Sequence, residues 1–142
     1  MNSKTKQVSI YEVEHICYFL AKTLLEWNEP IPEFTTRYPG ILESCLMTPF
    51  STYGKKHLYR GLWEKSAILF YLMIKNHPFK NGNKRIALMT LNHFLYKNGY
   101  ELSMDPDQLY KLSKDIAESN PKVKAERLKL VAKEIKINVV GK

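Results

Sequence analysis

From Ser9 the apolar residues Ile10, Val13, Ile16, Cys17, Leu20, Leu24 and Trp27 recur every three or four positions, which is the spacing of one helical face. Ser9 and Glu12 stand three apart at its start, where each side chain can satisfy an orphan amide of the first turn. Pro30 and Pro32 end this run and begin a connector. A shorter helical pattern over 41–47 follows Pro39-Gly40 and stops at Thr48-Pro49. Residues 50–59, FSTYGKKHLY, lose the helical period and place Phe, Thr and Tyr around Gly54, which predicts a short hairpin or flap.

A strongly apolar helix resumes with Leu62, Trp63, Ile68, Leu69, Leu72 and Met73 and runs to Asn76. The next, from about Asn83 to Tyr96, is apolar on so many sides that it is expected to be the central, most buried helix, closed by Asn98-Gly99. Asp105-Pro106 and Asn120-Pro121 each set a capping residue before a proline, so each predicts the start of a further amphipathic helix. Their apolar faces are Leu109, Leu112 and Ile116, then Leu128, Val131 and Ile135, and the lysines of the last helix read as a solvated face. With no repeat, low-complexity run or linker, residues 1–142 read as a single all-α domain of about six helices with one short β-hairpin flap.

Composition changes this picture little. The chain is 142 residues long, 44% hydrophobic and 25% charged, which excludes a disordered, collagenous or coiled-coil chain. Cys17 and Cys45 lie in apolar stretches without metal or disulfide spacing and read as buried free thiols. His15 and His93 read as surface or satisfied histidines, and Trp27 and Trp63 as core aromatics. No apolar run is long enough to cross a bilayer, and the polar start MNSKTKQ lacks a signal-peptide core, so a cytoplasmic protein is expected.

Charge adds more. The formal net charge is +8, and it is uneven: residues 1–36 carry 3 basic and 5 acidic side chains, 37–103 carry 10 and 3, and 104–142 carry 9 and 6. The excess sits in the middle segment and calls for an anionic partner. Lys55, Lys56 and His57 keep nucleic acid open as that partner, but no nucleic-acid motif accompanies them, so it is disfavoured.

Within that segment lies His77-Pro78-Phe79-Lys80-Asn81-Gly82-Asn83-Lys84-Arg85, a polar loop joining the two most apolar helices. The amino terminus of the second helix offers unpaired amides and the positive end of its dipole to an anion. Gly82 permits close backbone approach, and Asn83 can donate from its amide. Lys84 and Arg85 add cations that oppose the dipole, a local conflict that an anionic ligand would relieve. His77 enters from the preceding helix, and histidine beside a phosphate site is suited to take a proton from an attacking hydroxyl. A histidine closing a helix without catalysis is the plain alternative. Phe79 reads as the core anchor of the loop and Pro78 as its exit from the helix.

These nine residues resemble the Fic/Doc signature, whose Fic branch reads His-Pro-Phe-x-Asp/Glu-Gly-Asn-Gly-Arg and whose Doc branch ends Asn-Lys-Arg. The resemblance extends over about residues 8–103, through Arg37-Tyr38-Pro39-Gly40-Ile41-Leu42-Glu43-Ser44, Leu58-Tyr59, Glu64-Lys65-Ser66-Ala67 and Phe94-Leu95-Tyr96-Lys97-Asn98-Gly99. It implies a Fic-like helical fold and transfer of part of a nucleotide, ATP or another, to a protein hydroxyl. His77 would be the base; Gly82 and Asn83 would form the anion cradle; Lys84 and Arg85 would bind phosphates, with Lys80 beside them. Thr52, Tyr53, Gly54, Lys55, Lys56 and His57 would form a flap pairing with an extended target segment. Lys84 fills the space that glycine leaves in the AMP-transferring branch and sides with the Doc branch, whose prototype phosphorylates elongation factor Tu. The resemblance also implies a separate antitoxin, since no inhibitory Ser/Thr-x-x-x-Glu-Gly/Asn pattern is found in the chain. Asn81 departs from the pattern: an acidic residue there holds Mg2+, and a neutral amide lacks its charge. AMP transfer, and a catalytically silent binding module, therefore stay open as alternatives.

Overall fold

The capping box forms at the first helix as its spacing predicts: the Glu12 N–H donates to Ser9 Oγ at 3.2 Å, and the Ser9 N–H donates to Glu12 Oε1 at 2.9 Å. The structure is a computed structural model that describes residues 4–21 and 30–142. Helix α1, Ile10–Ala21, buries Val13, Ile16, Cys17 and Leu20 against the rest of the domain. Leu24 and Trp27, expected to continue this face, lie outside the described residues. Glu12 also fastens α1 to a later helix through His93 and through Lys97, 2.8 Å away.

Helix α2, Ile41–Met47, leads through a one-turn 3-10 helix, Thr48–Phe50, into a two-stranded hairpin of β1, Thr52–Tyr53, and β2, Lys56–His57. Helix α3, Gly61–Lys75, and helix α4, Asn83–Lys97, follow on either side of the loop. The centre is α3 and not, as the sequence suggests, α4. Ten consecutive residues of α3, Lys65 to Ile74, are buried, because α2, α4, α5 and α6 all pack on it. Helix α4 leaves Asn92 and Tyr96 exposed.

Helix α5, Pro106–Glu118, begins with a full capping box between Asp105 and Gln108. Asn120-Pro121 opens a 3-10 turn, Pro121–Val123, and α6 proper spans Lys124–Ile137 and buries Val131 and Ile135. A second sheet lies outside the sequence expectation: β3, Tyr100–Leu102, pairs antiparallel with β4, Val139–Gly141. Strands of three residues carry no readable alternation, and this pairing joins distant parts of the chain, so no local signal announces it. Trp63 packs edge-on to Tyr100 at 5.0 Å and is half-buried rather than in the core. The buried apolar side chains, Cys17 and Cys45 among them, form one cluster.

Candidate active site

Helix α3 ends at Asn76, whose N–H donates to the Leu72 carbonyl at 2.9 Å. The next residue, His77, has φ 47°, the left-handed conformation that normally falls to glycine or asparagine just beyond a helix. Its side chain is thereby turned out of the helix line and exposed. Pro78 is buried, and its carbonyl accepts from the Tyr38 N–H at 3.0 Å, which ties the loop to the connector. Phe79 is 1% exposed and stands 6.1 Å from the Phe34 ring, itself covered by the Arg37 guanidinium at 4.2 Å.

Asn83 locks this loop. Its Oδ1 accepts from the Phe79 N–H at 3.0 Å and its Nδ2 donates to the Phe79 carbonyl at 2.8 Å. These two contacts fix which end of the amide is which, so the group 3.4 Å from His77 Nδ1 is an N–H donor. In a neutral imidazole oriented this way Nδ1 is the acceptor of that long contact. Asn83 thus serves the loop and the imidazole in the same structure.

The start of α4 has no side-chain cap. Gly82, the residue before the helix, has φ 73° and no capping side chain, and the first turn contains no acid. The first three amides of an α-helix have no carbonyl of their own helix to donate to, and the positive end of the dipole lies with them. Lys84 is half-buried, Arg85 is 6% exposed, and Lys80 and Asn81 are exposed. Gly82 is needed for a further reason that the sequence did not disclose. A Cβ there would lie 2.8 Å from Ile31 Cδ1 and 3.3 Å from the Pro30 carbonyl, so the close approach is made by the connector.

The hairpin is not brought to this loop. Thr52, Tyr53, Gly54, Lys55, Lys56 and His57 are all exposed beside the amino-terminal end of α3, whereas His77 follows its carboxyl end. At about 1.5 Å per residue, α3 alone separates them by roughly 20 Å. Phe50, at the hairpin base, agrees: it meets Phe94, far along α4 from Asn83, at 6.2 Å.

The middle-segment charge divides accordingly. Arg37 pairs with Glu43 at 3.2 Å, Lys97 with Glu12, and Lys75 donates to the Ala117 and Ser119 carbonyls at the end of α5. Lys80, Lys84 and Arg85 gather at the loop, and Lys55, Lys56, Arg60 and Lys65 at the hairpin. Burial of Lys65 had no signal in the sequence; its ammonium donates to the Tyr59 carbonyl.

A divalent metal does not fit the loop as a protein-held ion. Residues 77–85 contain no carboxylate, Asn81 offers a neutral oxygen, and no group of three or more His, Cys, Asp or Glu that could hold a metal occurs among the described residues. No helix among the described residues is long and apolar enough to cross a membrane.

Comparison with known proteins agrees with the resemblance. A family model described as the Fic/DOC family matches residues 10–95. Toxin Doc of Mycolicibacterium smegmatis (strain ATCC 700084 / mc(2)155) is 35% identical over 75 residues, or 53% of this chain and 58% of the relative. The chain therefore spans little more than half the length of that curated relative. No solved structure matches the chain.

Proposed function

The chain belongs to the Fic/DOC family, and from its loop we propose that it is a Doc-like toxin that transfers the γ-phosphate of ATP to a hydroxyl of a target protein. The observation that carries this reading is the uncapped, acid-free start of α4 beside a histidine held at φ 47°. Amides of that first turn, with Lys84 and Arg85, bind the phosphate chain and stabilise the charge that spreads over the transferred group. The hydroxyl oxygen forms a bond to the γ-phosphorus as the bond to the bridging oxygen breaks, ADP leaves, and the hydroxyl proton passes to His77. Phe79 and Asn83 hold the loop in shape for this step. Lys80, exposed at the loop, adds attraction for the nucleotide. No step is assigned to Mg2+, for which the loop lacks a carboxylate.

Lys84 supports phosphate over AMP transfer, because the AMP-transferring branch carries glycine at this place. The target is a protein with an accessible hydroxyl, of which elongation factor Tu is the first to test, and a separate antitoxin restrains the toxin in the cytoplasm. Incubating the protein with a bacterial lysate and ATP labelled at the γ or the α phosphate tests the chemistry. Transfer of γ label, abolished in His77→Ala, is expected; α label on the target would reassign it to AMP transfer. Asn81 favours a silent binding module as the second reading. That reading requires neither label to transfer and Asn81→Asp to restore nothing.

A further inference from the structure

At the end of α3 opposite His77, the hairpin, the amino-terminal segment and the first turns of α3 line a cavity of about 980 Å3. Its wall carries the basic side chains Lys4, Lys55, Lys56, Arg60 and Lys65, together with His57, and no acid among the described residues. Most of these are exposed and need no special reason to be there. Lys65 is different: it is 4% exposed, stands 5.5 Å over the Phe50 ring, and the Tyr59 carbonyl is its one hydrogen-bond acceptor among the described residues. An ammonium has three donors, so a buried lysine so sparsely paired is poorly compensated. Burial pushes its pKa down, and the nearby Glu64 opposes this only partly while its carboxylate accepts from the Arg60 N–H at 2.5 Å.

The hairpin presents its cations at a conformational cost. Its two-residue turn places Gly54 at φ 56° and Lys55 at φ 70°, a pairing that favours glycine or asparagine at both positions. Lysine at the second adds charge to the cavity mouth and gains nothing for the turn itself.

We propose that this cavity is a second anion site, separate from the loop of His77, and that it binds a compact oligophosphate. The charges converge on a hollow rather than run along a face, which suits a small, densely charged anion better than a nucleic-acid backbone. Phe50, the one phenylalanine, tyrosine or tryptophan among the described residues that line the hollow, already has Lys65 over its face and Phe94 at its edge, so its ring is a poor platform for a stacked base. The source of the phosphates is either a free inorganic chain or the tail of a nucleotide, and the two share this chemistry.

The test titrates the full chain with inorganic tripolyphosphate, following heat and backbone amide shifts, and repeats it with ATP and with adenosine. Tripolyphosphate is expected to shift amides of residues 55–65, and Lys55→Gln/Lys56→Gln/Arg60→Gln, all exposed positions, to weaken that event at least ~10-fold. Lys84→Gln is expected to leave it intact. ATP shifting the same amides with equal or greater affinity, while adenosine does not, assigns the nucleotide tail; tripolyphosphate binding alone assigns the inorganic chain. Shifts confined to residues 77–85, no change in the triple variant, or tighter binding of a short single-stranded RNA through the same lysines would each overturn the proposal. Lys65→Met, judged by the same shifts once circular dichroism confirms its fold, gives an independent reading.

Discussion

Asn83 grips both backbone polar groups of Phe79, accepting from its N–H at 3.0 Å and donating to its carbonyl at 2.8 Å. With Asn83 only 8% exposed, water does not replace either bond. Asn83→Asp keeps the shape and the accepting oxygen but turns a second oxygen toward the Phe79 carbonyl. We expect a loss of about 1–3 kcal/mol, read as a lower urea midpoint with unchanged slope.

His77 occupies a backbone conformation that glycine adopts without strain. His77→Gly should therefore be as stable as the parent to within about 1 kcal/mol, or more stable, while losing the phosphate transfer proposed for the loop. Thermal unfolding and the γ-label assay on the same preparation separate the two effects. A large fall in melting temperature would mean that the imidazole holds the loop together.

Gly82→Ala meets two obstacles, φ 73° and Ile31 Cδ1 at 2.8 Å. A cost of about 1–3 kcal/mol is expected. Ile31→Ala should recover part of it, so a double-mutant cycle should show coupling of about 1 kcal/mol, whereas strain from φ alone would give none.

Two of these positions show what a sequence can and cannot announce. The loop was legible because its residue types are chemically unusual beside each other: glycine before a helix and two cations in its first turn. Helices α2, α3 and α4 were legible from their period and their punctuation, as was the Ser9–Glu12 box. What escaped were relationships between distant residues. Ile31 over Gly82, the Tyr38 amide on Pro78, the burial of Lys65 and the pairing of Tyr100 with Gly141 depend on how helices pack, which leaves no local pattern. The same reason explains why α3 rather than α4 is central: burial is decided by which neighbours arrive, not by apolar content alone.

Glu12 links α1 to α4, and its pKa reflects this. Burial pushes it up, but hydrogen bonds from Lys97, His93 and the Ser9 amide outweigh that and hold it at about 2 rather than the ordinary 4.5. The folded value lies below the unfolded one, so the stabilisation is complete above pH 4.5 and is lost as pH falls toward 2. Its size should be on the order of 2 kcal/mol after allowance for partial exposure. Glu12→Gln should flatten the acid limb of stability between these pH values in urea titrations, and an unchanged limb would refute the linkage.

Cys17 and Cys45 have their thiols pushed up to about 12, chiefly by burial. Iodoacetamide at pH 8 should leave both unmodified in the folded protein and alkylate both in urea. Mass spectrometry of the two samples checks this, and rapid labelling of either thiol under native conditions would contradict the packing.

Helix α3 keeps the loop cations and the hairpin cations roughly 20 Å apart, more than twice the Debye length of about 8 Å at physiological salt. Counter-ions therefore screen each pole from the other. An anion held at the hairpin should leave affinity at the loop nearly unchanged, and charge-removing substitutions at the two ends should add in free energy. If both proposed sites bind, the two anions act as independent variables, and lowering the ionic strength is the condition under which that independence should begin to fail.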